Sequence, residues 1–163
     1  MPAACLIGLV SDTHGLVRDD LKSALTGVSL ILHAGDVGGP RVLHALRAIA
    51  PVQAVFGNVD DPDDPELSSR LDLTLCGRSI HVSHGHELGS PTPQRLLRAY
   101  PADILVFGHT HRALVEREGP RLVVNPGAAG PRRFSLLPSV ARLRIDEHDV
   151  DVEIVTLAAR ADR

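Results

Sequence analysis

The sequence predicts an α/β domain in which two β-sheets pack face to face and helices cover their outer sides. In the first half of the chain, short apolar runs alternate with helical patterns, which indicates parallel strands joined by right-handed crossovers. The second half is dominated by the alternating pattern of β-strands. With 163 residues, 44% of them hydrophobic, the chain is long enough to bury one core, so we expect residues 1–163 to form a single domain.

The N-terminal half predicts three strands and two helices. Short apolar runs at 4–10, 29–34 and 52–56 are typical of buried strands. Between the first two runs, residues 19–27 begin with acidic side chains and end at a glycine, which favours a helix. Residues 40–50 carry a proline at the first helical position, which also favours a helix.

The C-terminal half predicts mostly antiparallel strands. After a polar loop at 60–66, residues 70–83 alternate and turn at Cys76 and Gly77, which predicts a hairpin. A helix is predicted at 92–100 and a strand at 103–107. The remaining strands are predicted at 113–118, 121–125, 139–146 and 150–157.

Composition and charge argue against several classes of protein. The net charge of −3 disfavours an extended nucleic-acid-binding surface. No apolar run reaches the roughly 18–20 residues that a membrane span needs. The N-terminus has no basic segment before its apolar run, so we expect no signal peptide and a cytoplasmic location. Cys5 and Cys76 stand alone in apolar segments, which predicts buried free thiols.

Five of the predicted strands are followed directly by Asp, Asn or His side chains. Ligand crevices of open α/β sheets lie at the carboxyl ends of the strands, so we expect these side chains to meet at one edge. One such residue is ordinary turn chemistry, but five strand ends restricted to these residue types indicate a metal site. The candidate ligands are Asp12, His14, Asp36, Asn58, His84, His109 and His111, and a glycine directly precedes Asp36, Asn58 and His109.

Carboxylate, amide and imidazole ligands without thiolate suit Mn²⁺, Fe or Zn²⁺. Seven ligands are too many for one catalytic ion with an open position, so they indicate two ions roughly 3.5–4 Å apart. His109 and His111 are two residues apart, which on an extended chain would point both imidazoles toward one shared ion.

These motifs, taken in order, resemble those of the calcineurin-like metallophosphoesterases, especially the small phosphodiesterases of bacteria and archaea. The likeness extends from "GLVSDTHG" through "LILHAGDVGGP" and "VFGNVD" to "HGH", "GHTH" and "VVNPGAAGPRR". It implies an α/β (α+β) fold, a four-layer α-β-β-α sandwich of two mixed β-sheets flanked by helices. It also implies a homodimer or homotetramer as a possible assembly.

The resemblance implies two divalent metal ions, with Mn²⁺ as the first choice and Zn²⁺, Fe, Ni²⁺ or Mg²⁺ as alternatives. It implies that each imidazole of the final motif binds a different ion, in contrast to the spacing argument. The first ion would be held by Asp12, His14 and His111, the second by Asn58, His84 and His109, and Asp36 would bridge both.

The predicted function is hydrolysis of a small phosphate ester, a diester in preference to a monoester, by in-line attack of a metal-bridging hydroxide. Asp36 and Asn58 are the first catalytic candidates, and Asn58 can also donate an N–H to a phosphate oxygen. Many relatives carry His after this Asn, but this chain has Val59, which transfers no proton. His86 is therefore a candidate general acid, with loop orientation as the alternative.

Further residues receive supporting roles. The segment "NPGAAGPRR" places Asn125, Arg132 and Arg133 as candidates for substrate binding, with a solvated loop as the alternative. His33 is expected in the core behind the ligands, and Asp60 is expected to hold the Asn58 loop through a backbone bond. The other histidines, His44, His81 and His148, are expected to be structural.

A phosphomonoesterase, a non-catalytic scaffold and a nuclease are the alternatives to a phosphodiesterase. A phosphomonoesterase would use the same site. A non-catalytic scaffold is known on this fold from the metallophosphoesterase-like subunit of the retromer coat, but a scaffold is expected to lose ligands, and all seven are present here. A nuclease is disfavoured by the short chain, the negative charge and the shortage of aromatic residues.

Overall fold

Two mixed β-sheets form the centre of the fold, as the sequence pattern predicts. The structure is a computed structural model that describes residues 4–133 and 135–157. The first sheet has the order β11-β10-β1-β2-β3-β4, in which β1 to β4 are parallel and β10 and β11 are antiparallel. Its strands are β1 (Cys5–Val10), β2 (Leu30–His33), β3 (Val52–Val55), β4 (Leu67–Ser68), β10 (Ser139–Ile145) and β11 (Val150–Thr156).

The second sheet has the order β5-β6-β7-β9-β8. Its central strands β6, β7 and β9 are parallel, and an antiparallel strand lies at each edge. The strands are β5 (Leu71–Leu75), β6 (Arg78–Val82), β7 (Ile104–Val106), β8 (Leu114–Glu118) and β9 (Arg121–Asn125). The predicted hairpin at 70–83 is therefore present and turns at Cys76 and Gly77.

Three apolar clusters separate four layers. The central cluster lies between the sheets and includes Leu9 and Leu32 of the first sheet and Val82 and Val106 of the second. A second cluster packs the outer face of the first sheet against two helices, and a third packs α3 against the second sheet. Neighbouring residues of one strand enter different clusters because strand side chains alternate between faces. This arrangement is the predicted α-β-β-α sandwich.

The helices are shorter than the sequence pattern predicts. They are α1 (Leu21–Ala24), α2 (Pro40–Arg47) and α3 (Pro93–Ala99). The start of α3 is capped by Thr92, whose side chain accepts a hydrogen bond from the backbone N–H of Arg95 at 3.2 Å. In α1 only one helical turn forms before the backbone reaches the positive φ of Gly27. Among the described helices, none is long and apolar enough to cross a membrane.

The prediction of two free thiols is wrong for this structure. Cys5 and Cys76 form a disulfide, with their Cα atoms 6.2 Å apart and a sequence separation of 71. Cys5 begins β1 in the first sheet, and Cys76 lies in the hairpin turn of the second, so the bond joins the two sheets. The pattern of apolar residues places each cysteine on a strand end but does not show that these two ends meet. The short strand β4 was also not predicted.

Candidate metal centre

The seven predicted ligands come together at one edge of the sandwich. They follow β1, β2 and β3 in the first sheet and β6 and β7 in the second, and within each sheet these strands are parallel to one another. The carboxyl ends of the strands therefore deliver their next residues to a common crevice. Asp12, Asp36, His84 and His111 are buried there, whereas His14 and His109 are half-buried and Asn58 is exposed.

One group of ligand atoms surrounds Asp12. Its Oδ1 lies 3.3 Å from Nε2 of His111 and 3.8 Å from Nε2 of His14. The ligand atoms of these three residues all lie within 4.8 Å of one another, which is compatible with one shared ion. The grouping matches the set that the family resemblance implies for the first ion.

A second group surrounds Asp36 and His84. Oδ2 of Asp36 lies 3.2 Å from Nε2 of His84 and 3.6 Å from Nε2 of His14. Oδ1 of Asn58 lies 3.1 Å from Nε2 of His84 and 3.1 Å from Nδ1 of His109. Asp36 thus lies between the two groups, with one histidine of each group within 4 Å.

The final two histidines diverge, contrary to the spacing argument. His111 faces Asp12, whereas His109 faces Asn58 and its ring lies 5.2 Å from the ring of His84. The alternation rule requires an extended backbone, but φ is 73° at His109 and 63° at His111. Both residues are in the left-handed region, so the sequence spacing gives the wrong direction for the two side chains.

This backbone conformation is shared by most of the site. Six described residues other than glycine have a positive φ, and five of them are candidate ligands. Such residues are uncommon and tend to cluster where the surrounding structure enforces a functional geometry. The five are Asp12, His14, Asp36, His109 and His111, and the sixth is Cys76 in the hairpin turn.

The glycine before each of three ligands packs closely on another ligand, and a Cβ atom on Gly35 would collide with His84. A Cβ atom on Gly57 would collide with the carboxylate and backbone nitrogen of Asp36. A Cβ atom on Gly108 would collide with the side chains of Ser11 and Asp12. Each glycine therefore lets the loop that carries one ligand pack directly on another ligand.

His33 and Thr13 support the loops from behind. The backbone N–H of Gly35 donates to Nδ1 of His33 at 3.1 Å, so the neutral ring carries its proton on Nε2. Nε2 then donates to the Thr13 hydroxyl at 3.0 Å, which donates to the backbone oxygen of Val37 at 2.7 Å. Full burial lowers the pKa of His33 to about 4, which keeps the ring neutral. The predicted core position of His33 is confirmed.

Asp60 joins two ligand loops rather than one. Its carboxylate accepts hydrogen bonds from the backbone N–H groups of Val37, Gly38 and Gly57 at 3.0, 3.0 and 2.9 Å. The loop after β2 and the loop after β3 are therefore tied to a single side chain. The sequence predicted only the bond to the Asn58 loop.

Arg18 holds the loop at Ala129 and Gly130 against the site. Arg18 is buried and donates from Nε to the oxygen of Ala129 at 3.2 Å and from Nη2 to the oxygen of Gly130 at 2.7 Å. The N–H of Gly130 donates to the backbone oxygen of Asp12 at 3.1 Å. The role of Arg18 was not predicted, because nothing in the local sequence indicates that a charged residue before a helix is buried.

Asn125 lies behind the loop that carries His109, and its predicted part in substrate binding stays a prediction. It is fully buried, and its Nδ2 donates to the oxygen of Gly108 at 3.2 Å and to the Thr110 hydroxyl at 3.1 Å. Arg132 and Arg133 lie beyond this loop and are exposed to solvent. Their part in substrate binding stays a prediction.

The remaining histidines divide into one residue beside the site and three outside it. His86 is half-buried, its ring lies 5.3 Å from that of His84, and its Nδ1 makes no hydrogen bond within the described residues. His81 stacks on Tyr100 with ring centroids 3.7 Å apart and contacts Asp72. His44 is in α2, and His148 is exposed.

The two buried carboxyl groups are held in the charged form. Burial alone would raise the pKa of Asp36, but hydrogen bonds from His84 and the Val59 N–H lower it to about 2. Burial likewise opposes ionisation of Asp12, yet His111 and the charge of His84 lower its pKa. In return, Asp36 and Asp12 raise the pKa of His84 against the effect of burial. The site therefore favours positive charge.

The donor set fits a divalent cation. Nδ1 of His84 lies 2.8 Å from the backbone oxygen of Ala34 and donates to it, which leaves the Nε2 lone pair facing Asp36 and Asn58. Oδ1 of Asp12 and Nε2 of His14 are buried and make no hydrogen bond within the described structure. Lone pairs that converge in this way are satisfied by a cation or by an added proton on His84, since buried polar atoms need partners.

A model of the calcineurin-like phosphoesterase superfamily domain matches residues 5–148. This range contains all seven candidate ligands and most of the chain. The chain belongs to the calcineurin-like phosphoesterase superfamily. The resemblance seen in the sequence motifs is thereby confirmed at the level of the family.

Curated members of the calcineurin-like phosphoesterase superfamily are similar over most of this chain. A probable metallophosphoesterase of Methanothermobacter thermautotrophicus is 33% identical in an alignment of 162 positions that covers 94% of this chain and 94% of that protein. Phosphodiesterase YfcE of Escherichia coli K12 is 30% identical over 142 residues, covering 72% of this chain and 76% of that protein.

Solved structures show the same fold. Vps29 of Entamoeba histolytica, in a crystal structure with zinc, superposes with a TM-score of 0.76 and covers 93% of this chain and 98% of its own. Its identity to this chain is 24%, so this likeness carries the fold alone.

Proposed function

We propose that the chain is a dinuclear metal-dependent phosphoesterase that hydrolyses phosphodiesters. The observation that carries the proposal is the convergence of buried lone pairs from Asp12, His14 and His84 around Asp36. Similarity to phosphodiesterase YfcE supports a diester in preference to a monoester. The resident ions would be Mn²⁺ first, with Zn²⁺, Fe, Ni²⁺ or Mg²⁺ as alternatives.

The ligands would divide between two ions as the resemblance implies. The first group of atoms around Asp12 supports one position, and the cluster of Asn58, His84 and His109 supports the other. Asp36 would bridge the ions, as the resemblance implies; its carboxylate lies within 4 Å of a histidine from each group, as does that of Asp12.

Two divalent ions supply Lewis acidity, which acidifies water and offsets the negative charge of a phosphate ester. The protein's own part is to hold this arrangement without reorganisation, through left-handed backbone at five ligands and the Asp60 bonds. Asn58 is exposed beside the group, so its amide N–H is available to a phosphate oxygen.

His86 would donate a proton to the leaving group. Val59 is 56% exposed where many relatives have a histidine, and it offers no proton. His86 is beside His84, and its Nδ1 makes no hydrogen bond within the described part of the chain. We assign it as the candidate acid, while a role in orienting the His84 loop is the alternative.

The activity test uses the chain stripped of metal by chelation. Bis(4-nitrophenyl) phosphate and 4-nitrophenyl phosphate are supplied separately, and Mn²⁺, Zn²⁺, Ni²⁺ or Mg²⁺ is added back one at a time. We expect release of 4-nitrophenolate from the diester with at least one metal, and slower release from the monoester.

The Asp36→Asn variant tests the bridging role. We expect a loss of roughly 100-fold or more in kcat, because the carboxylate proposed to hold both ions in place is removed. Asp151→Asn is the matched control, since Asp151 is exposed on β11 and distant in the fold from the crevice. Near-full activity of Asp36→Asn with saturating metal would contradict the bridging assignment.

The scaffold and monoesterase alternatives have distinct outcomes in the same assay. No hydrolysis of either ester with any of the metals would favour a scaffold. Faster turnover of the monoester than of the diester would favour a phosphatase. Assembly as a homodimer or homotetramer and a cytoplasmic location stay predictions.

A further inference from the structure

We propose that a cleft beside His111 binds an apolar organic substituent of the phosphodiester substrate. The proposal rests on the proposed phosphodiesterase function and extends it to a class of substrate. The cleft has a volume of about 580 Å³, within the usual range for small-molecule sites. We call it the Leu137 cleft, and its lining includes Pro91, Phe107, His111, Leu114, Leu137 and Ile154.

The Leu137 cleft and the candidate metal centre share one residue, His111. His111 lines the cleft, and Nε2 of the same side chain lies 3.3 Å from Oδ1 of Asp12. A phosphate held at the metal centre would therefore have one ester substituent next to the mouth of the cleft. The cleft is formed by parts of both sheets, with Leu114 on β8 and Ile154 on β11, so its walls are held by strands.

The lining of the cleft is mostly apolar, and one of its apolar side chains is exposed to solvent. Leu137 is 52% exposed, and it is one of three exposed large hydrophobic residues among those described. A second, Val59, directly follows Asn58, whereas the third, Val115, is on β8 and does not line the cleft. Exposed apolar surface next to a polar site is typical of a ligand-binding groove.

The charged residues that line the Leu137 cleft favour an anionic substrate more than those of the other cavity near the ligands. The described lining of the Leu137 cleft contains Arg112 and no carboxylate, so it admits a substrate that bears a negative phosphate. The second cavity, of about 310 Å³ beside Val59, is lined by Asp60, Asp61 and Asp64. An anionic diester would be repelled from that side, which directs its organic group into the Leu137 cleft.

The kinetic test compares two diesters with the same leaving group. Phenyl 4-nitrophenyl phosphate and methyl 4-nitrophenyl phosphate differ only in the substituent that is retained. We expect a higher kcat/KM for the phenyl ester in the unaltered chain. Leu137→Asn should lower kcat/KM for the phenyl ester by about tenfold and leave the methyl ester within about twofold, because apolar contact is lost.

Val115→Asn is the matched control, because it makes the same kind of change at another exposed apolar residue. We expect it to leave both esters unchanged. Equal losses on both esters in Leu137→Asn, or no preference for phenyl in the unaltered chain, would overturn the inference while leaving the phosphodiesterase proposal intact.

A binding test keeps the inference separate from turnover. The Zn²⁺-loaded chain, labelled with ¹³C at Leu, Ile and Val methyl groups, is titrated with diphenylphosphinate, a monoanion that has no ester bond to cleave, and, separately, with dimethylphosphinate. The aryl ligand should shift the methyl signals of Leu114, Leu137 and Ile154 saturably, but not those of Val115. The methyl ligand should leave all four unmoved.

Absence of these shifts would overturn the inference even if no ester were hydrolysed. The same holds if the cleft signals move with protein concentration alone, which would show that a second copy covers the cleft. Conversely, saturable shifts without hydrolysis of either ester would contradict the phosphodiesterase proposal and retain the apolar binding site.

Discussion

At the scale of single residues, the centre is defined by side chains whose protonation is set by their surroundings. Burial lowers the pKa of His33 to about 4, whereas the carboxylates of Asp12 and Asp36 raise the pKa of His84 against the effect of burial. The surroundings therefore shift the pKa values of these two histidines in opposite directions. His33 supports the ligand loops through its hydrogen bonds, and His84 presents a nitrogen to the crevice.

The neutral state of His33 predicts how stability changes with pH. Its pKa is about 4 in the folded chain against an ordinary value of 6.5, so the unfolded chain binds more protons between these values. Stability from this residue is complete above pH 6.5 and is lost as pH falls toward 4, by roughly 3 kcal/mol. Denaturant unfolding of metal-free protein at several pH values measures this change.

His33→Gln serves as the comparison, because glutamine does not titrate. We expect this variant to be less stable at pH 7 but to lose less stability on acidification. The same pH dependence in both proteins would show that another group is responsible.

His86→Ala tests the candidate general acid. If His86 protonates the leaving group, its loss should slow an alkyl leaving group by about 10²–10⁴-fold and an aryl one only slightly. Rates for bis(4-nitrophenyl) phosphate and for a dialkyl phosphate measure the difference. An equal loss on both would instead support orientation of the His84 loop.

At the scale of elements, strand ends deliver the ligands and a few buried polar residues hold the loops in place. Asp60 is central, since it accepts three backbone hydrogen bonds from the loops that carry Asp36 and Asn58. Arg18 acts similarly on the loop at Ala129 and Gly130, which packs on the backbone of Asp12.

Asp60→Ala should lower the free energy of unfolding by about 3 kcal/mol, because three N–H groups lose a charged acceptor. We also expect weaker metal binding, measured by isothermal titration calorimetry. Asp63→Ala is the control, since Asp63 is exposed in the same loop. Equal effects of the two substitutions would contradict a specific role for Asp60.

The strands that carry the ligands could be predicted because alternation and apolar runs are local signals. β1, β2, β3, β6 and β7 were all predicted to within a few residues. The directions of His109 and His111 could not be predicted, because left-handed backbone at both residues breaks the alternation. Arg18 and the disulfide partners depend on contacts between distant segments, which leave no local pattern.

At the scale of the whole molecule, the disulfide connects the two sheets at the start of β1 and the turn of the β5–β6 hairpin. Since the bond closes a separation of 71 residues, it constrains the unfolded chain strongly.

Replacing both Cys5 and Cys76 by serine should lower the free energy of unfolding by about 4 kcal/mol, on the loop-closure argument. Denaturant unfolding of the variant measures this loss, and the unaltered chain under reducing conditions should show a similar one. Unchanged stability in the variant and in the reduced chain would show that the bond does not stabilise the fold.

The central claim is that seven side chains from both sheets form a two-metal centre. Its most direct measurement is the metal content of the chain after chelation, reloading with Mn²⁺ and removal of excess ion, determined by inductively coupled plasma mass spectrometry. We predict two ions per chain, and fewer in Asp36→Asn. One ion or none in the unaltered chain, with every metal tried, would contradict the account.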